Sequence, residues 1–201
     1  MHINLPNDPI MDTVGLRSVF AGLADQKGKI ARLLESGELI SLRRGLYTNR
    51  RDIDPYCLAG VIYGPSYISF EAALAWHGMI PERVTEILSA TPKRAASFKN
   101  RFGLFRYLTI PMSVYPVGIH RITDAELPFL IASPTVALAD RIAREPGFRS
   151  MAAVARWIEG MRIDIDDGFD RRELADCAKN YRRPSVRWLF RYAEKHQLMR
   201  S

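Results

Sequence analysis

The chain has 201 residues, 47% of them hydrophobic, which suits one large domain or two small ones around a sizeable core. A formal net charge of +7 favours a polyanionic partner or an acidic surface. No apolar run reaches the roughly 18 residues that span a membrane, and the start MHINLPNDP lacks the pattern of a signal peptide. The two cysteines predict no disulfide framework. We therefore expect a cytoplasmic protein without a membrane partner.

The N-terminal quarter shows the spacing of two helices and a hairpin. DTVGLRSVFAGL at 12–23 has apolar residues at helical spacing, which predicts a first helix. A second helix is predicted from an N-cap at Asp25 to a terminating glycine at Gly37. LISLRRGLYT at 39–48 predicts two strands joined by a tight basic turn. Together these elements predict a winged helix-turn-helix domain over 1–51.

The basic residues of this region suggest a way to bind DNA. On an ideal helical wheel Gly28, Lys29 and Arg32 point away from the apolar face of the second helix. That helix can enter the major groove, and Gly28 would let its backbone come close. Arg43 and Arg44 at the hairpin tip could reach the flanking phosphates or the minor groove. Winged helices also serve as protein-binding modules, so this alternative stays open.

A second domain is predicted over 55–201, after a polar linker at 49–55. FEAALAWHG predicts a helix in which His77 lies on the apolar face, as a hydrogen-bonded packing histidine. A sheet is predicted over about 84–132, with strand candidates at 84–90, 103–110, 117–122 and 127–132. Helices are predicted over 134–198. The predicted fold class is therefore α+β, with a winged domain followed by a mixed domain that ends in helices.

Two further basic runs lie in this second part, one at 93–106 and one at 171–201. The segment TPKRAASFKNRFG at 91–103, which overlaps the first run, is predicted to be a loop, in which Phe98 and Phe102 either stack on single-stranded bases or anchor the loop in the core. The candidates for a further nucleic-acid or partner surface are Lys93, Arg94, Lys99, Arg101, Arg182, Arg183 and Arg187.

Several motifs, in this order, resemble the AbiEi-type antitoxins of type IV toxin–antitoxin systems. They cover most of residues 30–145, and no single motif is strong. Their order and spacing carry the resemblance. The motifs are RLLESGELISLRRGLYT at 32–48, YISFEAALAWHGMIPERV at 67–84, SATPKR at 89–94, GLFRYLTI at 103–110 and SPTVALADRI at 133–142.

The resemblance implies a transcriptional regulator that represses its own operon and counteracts a nucleotidyltransferase-like toxin. It implies an N-terminal domain that binds double-stranded operator repeats, which would favour a homodimer, and a C-terminal antitoxin domain. The family also has a helix before DTVGLRSVF, where only Ile10 and Met11 could contribute here. Carried over by position, the DNA-contacting residues are Lys27, Lys29, Arg32, Arg43 and Arg44.

Two alternatives belong to other functional classes. A nuclease would need a cluster of carboxylates, and Asp164, Asp166 and Asp167 are the nearest candidates, although a surface loop before Gly168 also explains them. The four histidines lack metal-ligand spacing, and no Ser-His-Asp or glycine-rich phosphate motif is present. A protein-only adaptor would use the winged domain for docking. We expect neither an enzyme nor a cofactor.

Overall fold

The computed structural model describes residues 8–165 and 167–200 and shows a mixed α+β fold, as predicted. Its N-terminal part has two helices and a small antiparallel sheet with strand order β1-β3-β2. The elements of this part are β1 (Met11–Asp12), α1 (Thr13–Val19), α2 (Gln26–Glu35), β2 (Ile40–Arg43) and β3 (Leu46–Thr48).

Side-chain caps fix the two N-terminal helices. The Asp12 carboxylate accepts a hydrogen bond from the Gly15 amide at 2.7 Å, and Asp25 accepts one from the Gly28 amide at 2.8 Å. Gly37, with φ of 70°, follows α2 in the left-handed conformation that glycine adopts without steric cost. The predicted cap and end of the second helix are thus confirmed, whereas α1 ends at Val19, earlier than predicted.

The N-terminal part has its own small hydrophobic core, which lies between the helices α1 and α2 and the sheet. Within the described residues only β1 and a short irregular segment precede α1, so the additional helix of the family pattern has no counterpart from residue 8 onward. Residues 1–7 lie outside the described part of the chain. The core residues are Met11, Leu16, Phe20, Ile30, Leu33 and Leu39.

The hairpin β2–β3 also packs against the rest of the chain. Leu42 and Leu46 are 1% and 7% exposed, and both belong to the main hydrophobic core. Arg43 donates from Nε to the Ile62 carbonyl at 2.7 Å, and the Asn100 amide group donates to the Leu42 carbonyl at 3.0 Å. The polar segment 49–55 therefore connects two parts that are already in contact.

The second part is built on a six-stranded mixed sheet with strand order β6-β7-β5-β4-β9-β8. The four predicted strands are confirmed as β5, β7, β8 and β9. Two strands of this sheet, β4 and β6, were not predicted. The strands are β4 (Tyr67–Ile68), β5 (Glu86–Thr91), β6 (Ala96–Asn100), β7 (Gly103–Thr109), β8 (Ile119–Ile122) and β9 (Phe129–Ala132).

Helices cover both faces of this sheet. Tyr107 is paired with Ser89 and donates its hydroxyl to the Ala59 carbonyl of α3, whereas Tyr67 is paired with Ala90 and donates to Asp140 of α5. Since neighbouring residues of a strand point to opposite faces, α3 and α5 lie on opposite sides. The first helices of this part are α3 (Pro55–Ile62), α4 (Phe70–Trp76) and α5 (Pro134–Ile142).

The part of the chain after β9 is mainly helical, as predicted. Two short strands there form a parallel pair, and α7 and α8 pack against α5. No helix among the described residues is long and apolar enough to cross a membrane. The elements are α6 (Met151–Gly160), β10 (Phe169–Asp170), α7 (Arg171–Tyr181), α8 (Pro184–Lys195) and β11 (Met199–Arg200).

Candidate nucleic-acid interface

Helix α2 carries two of the predicted DNA-contacting cations on one flank. Ile30 and Leu33 face the small core. Lys29 is half-buried at the edge of that face, and Arg32, three positions later, is its exposed neighbour. Arg32 is exposed and donates from Nε to the Gly28 carbonyl at 3.1 Å, which holds its side chain along the first turn. Lys27 is also exposed, but it lies about 160° around the helix from Lys29.

Gly28 has a structural role within α2. A Cβ atom at this position would lie 1.8 Å from Oδ2 of Asp25, the residue that caps the helix. Glycine is therefore required for the cap to fold over the first turn. This packing explains Gly28 without any approach of the helix to DNA.

The basic turn of the hairpin separates the two predicted arginines. Gly45, with φ of 80°, closes the turn, and its carbonyl accepts a hydrogen bond from the Thr13 amide at 3.1 Å at the start of α1. Arg43 folds back onto the Ile62 and Arg44 carbonyls. The Arg44 side chain is exposed and forms no hydrogen bond or ion pair with any described residue. Arg44 is thus the tip cation available to a partner.

Strand β6 (Ala96–Asn100) lies within the segment 91–103, so the prediction of a loop over that segment is wrong. Phe98 lies in β6 with its ring centroid 5.8 Å from that of Tyr63 and 5.9 Å from that of Tyr107. Phe102 is half-buried against the main core. These contacts favour the core-anchor interpretation of the two phenylalanines over base stacking.

The lysines and arginines of the basic run at 93–106 differ in their contacts. Lys93 donates to the Gly64 carbonyl at 2.9 Å and lies 4.2 Å from the centre of the Tyr63 ring. Arg106 pairs with Glu86 at 3.0 Å. Arg94, Lys99 and Arg101 are exposed. Lys93 and Arg106 therefore have partners within the fold, whereas no partner among the described residues is shown for the side chains of Arg94, Lys99 and Arg101.

The C-terminal candidates cluster at the corner between α7 and α8. Arg182 follows α7 with φ of 53°, a left-handed conformation, and Arg183 is the residue that precedes α8. Arg182, Arg183 and Arg187 are all exposed. This corner lies in the second part of the chain, separate from the α2 flank.

Sequence reasoning missed a buried carboxylate, Asp140, which is 0% exposed. Its two oxygens accept hydrogen bonds from the hydroxyls of Ser69 at 2.6 Å, Tyr181 at 2.7 Å and Tyr67 at 3.1 Å. Burial raises the pKa of Asp140 to about 6, although the three hydroxyl donors oppose that rise. The only feature of the sequence that could have indicated this buried carboxylate is the aspartate within the apolar helix TVALADRI.

His77 behaves as predicted, since its Nε2 lies 2.8 Å from the Ala132 carbonyl oxygen. Burial lowers the pKa of His77 below its ordinary value. Asp164 and Asp167 are exposed, and Asp166 lies outside the described residues. No group of three or more His, Cys, Asp or Glu side chains within 8–165 and 167–200 could hold a metal ion.

Comparisons with known proteins add no relative. No model of a known protein family matches the chain, and no curated protein matches it significantly.

Proposed function

We propose that the chain is a DNA-binding transcriptional regulator, the antitoxin of a type IV toxin–antitoxin system, which represses its own operon. The observation that carries the DNA-binding half is the N-terminal arrangement of two helices and the sheet β1-β3-β2, with cations on α2 and at the hairpin tip. This order of elements resembles that of a winged helix-turn-helix domain without the helix that precedes β1, and the resemblance supports the proposal.

The geometry suits a duplex in two ways. Helix α2 has ten residues and a length of about 15 Å. Its flank carries the half-buried Lys29 and the exposed Arg32, and we expect this flank to enter a major groove. Arg44 projects from a turn anchored to both α1 and the main core. A cation at such a tip would contact a phosphate beside the groove, which adds affinity without sequence preference.

The residues on this surface have different roles in the proposal. Lys29 and Arg32 would contact bases or phosphates from α2, and Arg44 would contact the flanking backbone. Arg43 mainly joins the hairpin to α3, and Lys27 lies on the other side of α2. The proposed interface therefore includes three of the five cations that were predicted from the sequence, namely Lys29, Arg32 and Arg44.

Duplex binding can be tested by fluorescence anisotropy on DNA from upstream of the chain's own reading frame. Replacing Arg44 with Ala should weaken binding to every duplex and lower the slope of log affinity against log salt by about 1. Arg156→Ala is a matched control, because Arg156 is an exposed arginine of α6 without a charged partner among the described residues. Equal affinities and slopes for the Arg44 and Arg156 variants would overturn the proposed tip contact.

The α2 flank needs a separate variant. Lys29→Ala with Arg32→Ala should reduce discrimination between the promoter duplex and a scrambled duplex, because side chains in the groove read bases. Arg32 is exposed and Lys29 is half-buried, so thermal unfolding of the double variant must first show that it keeps the fold. Unchanged discrimination would overturn the assignment of α2 as the helix that reads the operator.

The antitoxin half rests on the resemblance of the motifs to the AbiEi-type family. A nucleotidyltransferase-like reading frame beside this one would supply the toxin. Induction of that frame alone should arrest growth, and co-expression of the present chain should restore it. Arrest that persists at equal expression of both chains would overturn the antitoxin half, whatever the outcome of the DNA experiments.

A further inference from the structure

An open cleft lies in the second part of the chain, and none of the proposed DNA-binding residues lines it. Its volume is about 710 Å³, and it opens between the segment after β7, the segment after α5 and the corner between α7 and α8. Pockets of about 300–1,000 Å³ commonly hold small molecules in proteins. The cleft is thus large enough for a ligand of nucleotide size.

Three arginines from separate segments line this cleft. They are Arg144 and Arg149 after α5 and Arg183 before α8, and all three are exposed. None of them forms an ion pair or side-chain hydrogen bond with another described residue. Arginine presents several donors in a planar group that matches a phosphate. Three such groups at one cleft therefore form a cluster suited to an anion.

The acidic residues of the cleft are already engaged. Glu145 pairs with Arg141 one helical turn earlier. Asp140 is fully buried, and its carboxylate accepts hydrogen bonds from three hydroxyls. The arginines accordingly determine the charge that an entering ligand meets.

The first turn of α8 adds neutral donors at the cleft wall. This helix has twelve residues, and no side chain caps its N-terminal amides. Ser185 in that turn is 4% exposed and lines the cleft, yet its hydroxyl has no hydrogen-bond partner among the described residues. The Ser185 hydroxyl and the free amides of this turn lie at the wall of the cleft, so they can donate hydrogen bonds to an anion that enters it.

We propose that the cleft binds a mononucleotide, with its phosphate between the three arginines and the first turn of α8. The phosphate would accept hydrogen bonds from the guanidinium groups, the Ser185 hydroxyl and the free amides of that turn. Aromatic side chains that also line the cleft, Phe148 and Trp188, offer apolar surface to the base. This site is independent of DNA binding through α2 and the hairpin.

Calorimetric titration of the full chain with adenosine 5′-monophosphate, inorganic phosphate and adenosine, at constant ionic strength, tests the proposal. The nucleotide should bind most tightly. Arg144→Gln or Arg183→Gln should each weaken its binding about tenfold, and Ser185→Ala should weaken it by a smaller factor without changing the charge. Arg156→Gln, the control arginine of α6, should leave the affinity unchanged. Equal thermal unfolding of all variants would show that each retains the fold.

Several outcomes would overturn the proposal. Absence of saturable binding by any of the three probes excludes the site. Nucleotide affinity that is unchanged in both arginine variants places the binding elsewhere. If inorganic phosphate binds as tightly as the nucleotide, the cleft is an anion site that does not contact the base, and the proposal of a mononucleotide site is overturned. A duplex that displaces the nucleotide, and loses affinity in the Arg144 and Arg183 variants, assigns the cleft to a macromolecule instead.

Discussion

Replacing Asp140 with Asn should abolish one component of the pH dependence of stability. The wild-type carboxyl group is fully buried, and it is held by the hydroxyls of Tyr67, Ser69 and Tyr181. Loss of hydration disfavours the charged carboxylate, whereas the three donors favour it. Burial has the larger effect, because the pKa of Asp140 rises to about 6 from an ordinary value of 3.8.

The sign and size of the effect follow from proton linkage. Between pH 4 and 6 the folded chain keeps the proton on Asp140 while the unfolded chain releases it, so the free energy of unfolding falls as the pH rises. The stabilisation is fully present below about pH 4 and lost above about pH 6. A pKa difference of this size corresponds to about 3 kcal/mol. The asparagine side chain of the variant cannot ionise, so the variant lacks this component.

Urea unfolding of both proteins at a series of pH values from 4 to 7 measures the effect. The wild-type free energy of unfolding, minus that of Asp140→Asn, should decrease by about 3 kcal/mol across the range. Other titrating groups act on both proteins and cancel in this difference. The asparagine amide also changes the hydrogen bonds with the three hydroxyls, which shifts the difference in free energy of unfolding by an amount that does not depend on pH. A difference that stays constant from pH 4 to 7 would refute the reasoning.

Two further variants test contacts that position the proposed DNA-binding surface and the sheet. Asp25→Ala should lower the free energy of unfolding by about 1 kcal/mol, measured by urea denaturation, because the Gly28 amide loses its cap. An unchanged unfolding midpoint would show that the cap adds no stability. Tyr107→Phe should also cost about 1 kcal/mol, since the Ala59 carbonyl that loses this donor still accepts from the Tyr63 amide. A loss of several kcal/mol would contradict this account of the contact.

Local patterns predicted the elements whose determinants lie close together in sequence. The cap at Asp25 and the glycine at Gly37 mark the ends of α2, and apolar spacing within the helix sets its buried face. The strands β5, β7, β8 and β9 are rich in β-branched and aromatic residues, which favour a pleated sheet. For these elements the neighbouring residues carry enough information.

Strand β6 was missed because charge concealed its alternation. Ala96, Phe98 and Asn100 are partly buried, and Ser97 and Lys99 between them are exposed. A polar strand of this kind suits the edge of a sheet, where a lysine also discourages pairing with another chain. The pairing partner lies in β7, so only the alternation itself could have revealed the strand.

The site residues depended on contacts that the sequence does not display. Asp140 meets Tyr67, Ser69 and Tyr181 only after the sheet and α7 have assembled around α5. Arg43 and Arg44 look equivalent in sequence, yet alternation along β2 and the position of α3 direct the first to the Ile62 carbonyl. Tertiary packing therefore decided which predicted cations remain available.

The anchoring of the hairpin has a consequence for how the chain can be dissected. A cut after residue 51 would separate Leu42 and Leu46 from the apolar side chains that cover them, and would leave the Ile62 carbonyl without the Arg43 donor. The isolated N-terminal fragment would then expose apolar surface that promotes self-association. A fragment of the chain that is meant to keep the native hairpin must therefore include at least α3 and the strands beside it.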